Sequence, residues 1–394
     1  MKEQSREHLK PLIKWPGGKS SEIGPLIGFI PSFERYVEPF VGGGALYFHL
    51  EPECALINDN SAYLMAFYDL AAKQDPAFKE MLEAYAAAFE RVQAACEAGY
   101  DKIFAVFRLY QVAYGEKLDI AGAGIHEGLC LEILREAGPK ETAQAETAHE
   151  AGLFFDEERY RKIVCEAVGD KMRRTVMTDR KHPLTPEDLK ANLITGFTGG
   201  FYLYFREVFN RIAAGTIPAS DAQRAANFFF VREYCYGSMF RYNAKGEFNI
   251  PYGGISYNKK DFRGKIDRIF DARTAALLSR TRLFCMDFEE MLEGEDLTER
   301  DFLFLDPPYD TEFSEYEGKD FTKKDHERLA AFLGRTKAKF LLVIKNTAFI
   351  YALYEGKFPM YTFENRYIYN VRSRNDRSAE HLIITNCAPP EGSW

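Results

Sequence analysis

Phe302-Leu-Phe-Leu-Asp-Pro-Pro-Tyr309 decides the architecture of this chain. Its first four residues, Phe302 to Leu305, are apolar without alternation, the pattern of a strand buried on both faces in a parallel sheet. Pro307 and Pro308 stop it, because neither can donate a ladder hydrogen bond and each fixes its own φ. The strand therefore delivers three groups to its C-terminal end: the Asp306 carboxylate, a Pro307 carbonyl that Pro308 keeps out of the helical region, and the Tyr309 ring. Open α/β sheets hold their ligands at that edge. A carboxylate, a carbonyl and a ring suit a planar substrate carrying an amino group. A strand followed by a tight turn accounts for the same residues, so the rest of the chain decides.

Upstream, Arg35-Tyr-Val-Glu-Pro-Phe-Val-Gly-Gly-Gly-Ala45 carries a short strand into Gly42, Gly43 and Gly44, and Ala45-Leu-Tyr-Phe-His-Leu50 is competent to continue as a helix. Strand, glycine turn and helix form the first half of a nucleotide-binding βα unit, although the spacing is not GxGxxG. Cys54-Ala-Leu-Ile-Asn-Asp-Asn60 reads as a second strand whose terminal Asp59 can accept hydrogen bonds from a ribose. Together these features fit a nucleoside cofactor and require no pyrophosphate. Pro11-Leu-Ile-Lys-Trp-Pro-Gly-Gly-Lys-Ser20 adds a turn at Gly17 and Gly18 and a stacking face at Trp15. Its Gly-Lys-Ser ending imitates a P-loop, but GxxxxGKS needs glycine where Ile13 stands, which argues against a nucleoside triphosphatase.

With 394 residues, the chain can form two or three domains, or one core domain with a large insertion. It has no run of 18 apolar residues, so no membrane partner is expected, and residues 1–10 lack the apolar core of a signal peptide. The cysteines at 54, 96, 130, 165, 235, 285 and 387 form neither a CxxC pair nor a metal spacing. They read as reduced core residues of a cytosolic protein without a zinc site. A net charge of −8 argues at first sight against nucleic acid. Its distribution argues otherwise, because basic residues gather at 159–182, 241–273 and 366–377, where each run is either a local phosphate contact or a solvated face.

Between about 75 and 235 the apolar spacing is helical, as in Ala77–Glu90 and Ile103–Tyr110, with capping signals at Thr185 and Ser220-Asp221. Gly138–Gly152 is rich in small residues and reads as a mobile connection, and the aromatic clusters Phe201–Phe205 and Phe228–Phe230 read as core. Asn243-Ala-Lys-Gly246, with aromatic and apolar flanks, predicts a hairpin. Arg241, Asn243, Lys245 and Asn249 on such a ribbon could enter a groove, arginine matching guanine and asparagine matching adenine, or the ribbon could be ordinary surface. Leu283–Phe288 and Phe340–Ile344 predict further strands, Thr322 a helix start, and Tyr367–Val371 with His381–Thr385 a final antiparallel pair. The fold expected is α/β: a doubly wound, mostly parallel Rossmann-like sheet with an antiparallel C-terminal pair. Residues 1–75 and 275–394 would form the catalytic domain, and 76–274 an inserted helical domain with its hairpin near 236–252.

In this order the motifs Lys14–Lys19, Glu38–Gly44, Ile57–Asn60 and Asp306–Tyr309 resemble the Dam-type, D12 class (alpha group) of DNA adenine N6-methyltransferases. Arg241–Pro251 is similar to that family's target-reading hairpin, and Arg372–Ile384 to its C-terminal strands. The likeness covers roughly residues 10–70 and 228–387. It implies S-adenosyl-L-methionine as cofactor, with Trp15 and Lys19 beside it, Phe40 and Gly42 lining it, Asp59 on its ribose, Asp287 or Phe288 at its adenine, and Asp306 adjoining. Asp306, Pro307, Pro308 and Tyr309 would be catalytic, clamping and stacking a flipped adenine. Tyr236 and Arg241, with Asn243 and Lys245, would contact duplex DNA. A cytoplasmic, nucleoid-associated enzyme follows, needing no protein partner for catalysis, with a cognate restriction endonuclease as a further partner the likeness allows. Two departures stand out: Gly237 occupies the place of an asparagine in the best-known members, so a GATC target does not carry over, and the helical insertion is much longer than in compact members. The alternatives are an N4-cytosine or RNA adenine methyltransferase, or a catalytically dead DNA-binding module.

Overall fold

The computed structural model describes residues 8–116, 124, 126–138, 152–308, 315–316, 319–366 and 378–387. They gather into two compact units, one drawn from Met1–Gln74, Phe240–Tyr242 and Arg268–Trp394, the other from Asp75–Met239 and Asn243–Asp267.

The first unit is built on a seven-stranded sheet. Its strands are β1 (Arg35–Glu38), β2 (Ala55–Asn58), β3 (Thr281–Phe284), β4 (Asp301–Leu305), β7 (Lys339–Lys345), β8 (Met360–Arg366) and β9 (Ser378–Thr385), while β5 (Glu315–Tyr316) and β6 (Lys319–Asp320) pair separately. The order across the sheet is β3-β2-β1-β4-β7-β9-β8. The first five run parallel, and β9 pairs antiparallel with both β7 and β8. All five residues of β4 are buried: the apolar run Phe302–Leu305 is covered on both faces, and Asp301 is bonded to Arg35. Beneath the sheet Val37, Leu303, Leu305, Phe340 and Leu342 pack with Leu329 and Leu333 of helix Lys323–Leu333 and with Ile350 and Tyr354 of helix Ala348–Tyr354. From β1 the chain builds outward through β2 and β3, then returns to place β4 on the other flank of β1, with Val37 opposite Leu303. The two neighbours therefore lead away in opposite directions, and a crevice opens at their carboxyl ends, the topological switch point of the sheet.

The expected elements appear with some shifts. β3 ends at Phe284, earlier than the Leu283–Phe288 stretch suggested, because Asp287 accepts from the Glu289 amide and starts helix Phe288–Glu293. The antiparallel partner of β9 is Met360–Arg366; Tyr367–Val371 lie outside the described residues, as do 139–151 of the small-residue stretch.

In the second unit, helices Pro76–Ala98, Tyr100–Gly115, Glu127–Glu136, Glu157–Lys181, Pro186–Ala213 and Asp221–Tyr234 form an all-helical bundle. Thr185 and Ser220 cap two of them, accepting from the Asp188 and Gln223 amides. Phe201, Phe205 and Phe230 are fully buried with Tyr85 and Phe89, so these rings form core. The stretch around Asn243 is a tight turn flanked by the bridge residues Tyr242 and Phe248. Its turn closes through Asn243 N–H to the Glu247 carbonyl at 2.9 Å, and an isolated antiparallel bridge joins Cys235 and Tyr252. Side chains of helix Pro186–Ala213 also bond the following backbone: Asn210 exchanges two hydrogen bonds with Phe248, and the Tyr202 hydroxyl donates to the Ile250 carbonyl.

Candidate active site

At the switch point, Trp15, Lys19, Phe40, Gly42, Asp59, Asp287, Phe288, Asp306, Pro307 and Pro308 all line one cleft of the sheet unit. Tyr309 lies outside the described residues.

The floor is the glycine turn after β1. Gly42 has φ +48°, and a Cβ there would stand 2.6 Å from Trp15 Cδ1, so both conformation and space demand glycine. The Tyr68 hydroxyl donates to the Gly42 carbonyl at 2.9 Å, and the Gly42 amide donates to Asp59 Oδ2 at 3.1 Å. Asp59 Oδ1 accepts from the Ser61 amide at 2.9 Å. These amides favour the carboxylate, yet burial outweighs them and pushes the Asp59 carboxyl up to about 6. Its neighbour Asn58 is buried and acts as a tie: Nδ2 donates to the Pro39 and Met286 carbonyls, and Oδ1 accepts from the Met286 amide at 3.0 Å. One side chain thus joins the glycine turn to the segment that carries Asp287 and Phe288.

An aromatic wall faces this floor. Phe40, Phe288 and Phe321 meet with ring centroids 5.3 to 5.7 Å apart. Asp287 is tied to the Arg328 guanidinium, which also bonds Glu289 at 2.6 Å and Asp325 at 2.7 Å. Arg328 and Phe321 were not singled out in the sequence, and Asn58 entered only as part of the Ile57–Asn60 motif. The signal for Arg328 was its i+3 spacing from Asp325 on a predicted helix; for Phe321, which precedes the cap, there was none.

At the end of β4, Asp306 Oδ1 lies 2.7 Å from Lys19 Nζ, and Lys19 is only 2% exposed. Burial raises the Asp306 carboxyl, and the ammonium beside it opposes the rise. Glu38, at the end of β1, is held far above the usual carboxylate range by burial, with Asp306 and Asp59 adding to it. Its Oε2 accepts from the Tyr36 hydroxyl at 2.9 Å, a bond that opposes the rise. The cleft can accordingly present one ionic acceptor beside a lysine, a ring-lined slot, and a second acidic group at the glycine turn.

Over residues 15–127 and 186–369 the chain matches the family described as D12 class N6 adenine-specific DNA methyltransferase. The chain belongs to that family. It is 24% identical over 367 residues to the type II methyltransferase M.MjaIII of Methanocaldococcus jannaschii, covering 88% of this chain and 89% of that one. It is 34% identical over 173 residues to the type II methyltransferase M.CviBI of Paramecium bursaria Chlorella virus NC1A, covering 43% of this chain and 63% of the viral one. The Retron Ec67 DNA adenine methylase of Escherichia coli is 31% identical over 190 residues, 48% of this chain and 62% of its own length. The chain thus spans less than two thirds of the viral and retron relatives.

The residues expected at DNA by this D12 member are distributed unevenly. Arg241 is exposed and belongs to the sheet unit with Phe240 and Tyr242, while Tyr236, Asn243 and Lys245 belong to the helical unit. Tyr236 is 43% exposed, at a loop where Gly237 and Ser238 both have positive φ. The buried Arg232 guanidinium holds that loop by donating to the Ser238 and Met239 carbonyls. Asn243 is committed to its turn: Oδ1 accepts from the Lys245 and Glu247 amides and Nδ2 donates to Glu247. Lys245 is exposed at the tip. Among the described residues no helix is long and apolar enough to cross a membrane, and no cluster of three or more metal-ligating side chains occurs.

Proposed function

We propose that this protein methylates the N6 amino group of an adenine flipped out of duplex DNA, in a defined sequence context, with S-adenosyl-L-methionine as donor. The observation that carries this reading is the placement of Asp306 and Pro307 on the wall of the same cleft as the glycine turn and Asp59. The residues fit the donor: a turn whose glycine a Cβ would fill, a carboxyl at the second strand end for ribose hydroxyls, and three rings for an adenine. Bound there, the cofactor supplies an electrophilic methyl group on a sulfonium.

Asp306 and the Pro307 carbonyl accept the two N6 hydrogens. The amino lone pair, otherwise delocalised into the purine, is then available on a more tetrahedral nitrogen, and positioning supplies most of the acceleration. The raised Asp306 carboxyl is suited to take the proton that N6 sheds as its new bond forms, and the Lys19 ammonium favours its ionised form beforehand. Tyr309 is the ring on which the flipped base stacks, offsetting part of the few kcal/mol that unstacking costs. Trp15, Phe40, Gly42, Asp59, Asp287 and Phe288 hold the cofactor; Tyr236, Arg241 and Lys245 contact DNA. The sheet unit is the catalytic domain and the helical unit enlarges the DNA footprint. Two relatives are named as type II methyltransferases, and on that likeness a cognate restriction endonuclease is a proposed partner, with the cytoplasm beside the chromosome as the place of action.

Incubating the purified protein with plasmid DNA and S-adenosyl-L-methionine, then digesting to nucleosides, should yield N6-methyladenine; N4-methylcytosine would refute the substrate. Asp306→Ala should reduce transfer by about 10²–10³-fold while duplex affinity stays within several-fold. Retained activity in that variant would overturn the clamp.

A further inference from the structure

Trp15 touches more than the cleft it lines. Its ring lies against the glycine turn, where a Cβ on Gly42 would meet Cδ1 at 2.6 Å and one on Gly43 would meet Trp15 Cβ at 3.3 Å. The same ring meets Phe240 edge to face, with centroids 4.7 Å apart and planes at 68°. Phe240 begins the three-residue stretch Phe240–Tyr242, which packs with the sheet unit although the chain up to Met239 and from Asn243 belongs to the helical unit. Its next residue is the exposed Arg241. A ring contact therefore joins the wall of the nucleoside cleft to the residue adjoining the proposed base reader.

We propose that Phe240 is a positioning residue through which occupancy of the cofactor cleft tightens the grip on DNA. The proposal rests on the reading of the cleft and of Arg241 given above. A ligand seated on the glycine turn confines the Trp15 ring, and a confined ring offers Phe240 one edge-to-face seat instead of several. Arg241 then has less freedom to lose when it meets a base, and the ordering cost already met appears as higher DNA affinity. Linkage makes the effect reciprocal: DNA tightens cofactor binding by the same factor. Phe240 itself touches neither ligand in this scheme, so removing its ring should change the coupling and leave each separate affinity in place.

The test uses the full chain, S-adenosylhomocysteine as an unreactive occupant of the cleft, and a labelled duplex containing the modified sequence, located by modification-sensitive sequencing of the methylated plasmid. The readout is the ratio of the duplex Kd without S-adenosylhomocysteine to the Kd at saturation. In the native chain the ratio should exceed one. Phe240→Leu should lower it about three- to tenfold, toward one, with affinity for either ligand alone within twofold; Phe240→Tyr, which keeps an edge, should restore it. A native ratio of one, or an unchanged ratio in Phe240→Leu, overturns the proposal. So does a parallel fall in both separate affinities at constant ratio, the mark of a merely structural ring. If the native chain fails to bind S-adenosylhomocysteine at all, the cofactor reading falls with it, an outcome distinct from binding without coupling.

Discussion

Replacing Gly42 by alanine tests the floor of the cleft through two separable penalties. The first is conformational: at φ +48° an L-residue is left-handed, which costs about 1–2 kcal/mol. In a unit of this size that corresponds to a fall in melting temperature of roughly 2–8 °C. The second is steric. The new methyl would stand 2.6 Å from Trp15 Cδ1 and 3.2 Å from its Nε1. Carbon atoms prefer about 3.5–4.0 Å, so the ring must retreat by about 1 Å. A misplacement of that size beside a reacting centre costs about 10²-fold in rate. Gly17→Ala separates the two, because Gly17 has φ +73° with nothing within 4 Å of a built Cβ. It should show the thermal loss and little of the binding loss. Calorimetric titration with S-adenosylhomocysteine, thermal melting and initial methylation rates complete the comparison. Native affinity and native rate in Gly42→Ala would refute the assignment of the glycine turn as the cofactor floor, whatever the melting temperature does.

Two further outcomes follow from the carboxyl groups. Asp59 has its pKa raised from 3.8 to about 6 by burial. The stabilisation from its neutral form is complete below about 4 and is lost as pH rises through 6, so the free protein should be less stable at pH 7 than at pH 5 by this group's contribution. Affinity for S-adenosylhomocysteine runs the other way, because the ionised carboxylate is the better acceptor for ribose hydroxyls. It should weaken by up to about tenfold per pH unit below 6, and Asp59→Asn should flatten that slope; an equal slope in the variant would remove Asp59 from the site. Lys19→Met takes away the ammonium that opposes the rise in the Asp306 carboxyl. The acid limb of the kcat/KM profile should then move to higher pH, and an unmoved limb would show that Asp306 is not the group titrating.

Several of these features are legible in the linear chain because their causes are local. Four apolar residues ending in two prolines specify a covered strand and its stop within eight positions. Thr185 and Ser220 mark helix starts because each side chain accepts from an amide only three residues away, and at Thr322 the Asp325 carboxylate accepts from the Thr322 amide over the same spacing. The glycine turn is readable because positive φ excludes other residues. Local rules do not foresee the tertiary partners of the backbone, such as Asn210 and Tyr202 on the stretch after Asn243. The Asp287 cap likewise turns the end of the Leu283–Phe288 run from strand to helix.

By itself, then, the amino-acid sequence determined the kinds of element, the motif order and the chemistry carried at each strand end. Only the tertiary structure decided who meets whom. β4 lies beside β1, with Arg35 bonded to Asp301 across 266 residues, because burying both strands in one sheet outweighs the slowly growing entropy of closing so long a loop. That pairing brings Lys19 to Asp306 and opens the cleft at the switch point. The Arg328 tie to Asp287, the Asn58 tie between two loops and the Trp15–Phe240 contact likewise depend on side chains that the chain separates and packing joins, which no local periodicity can encode.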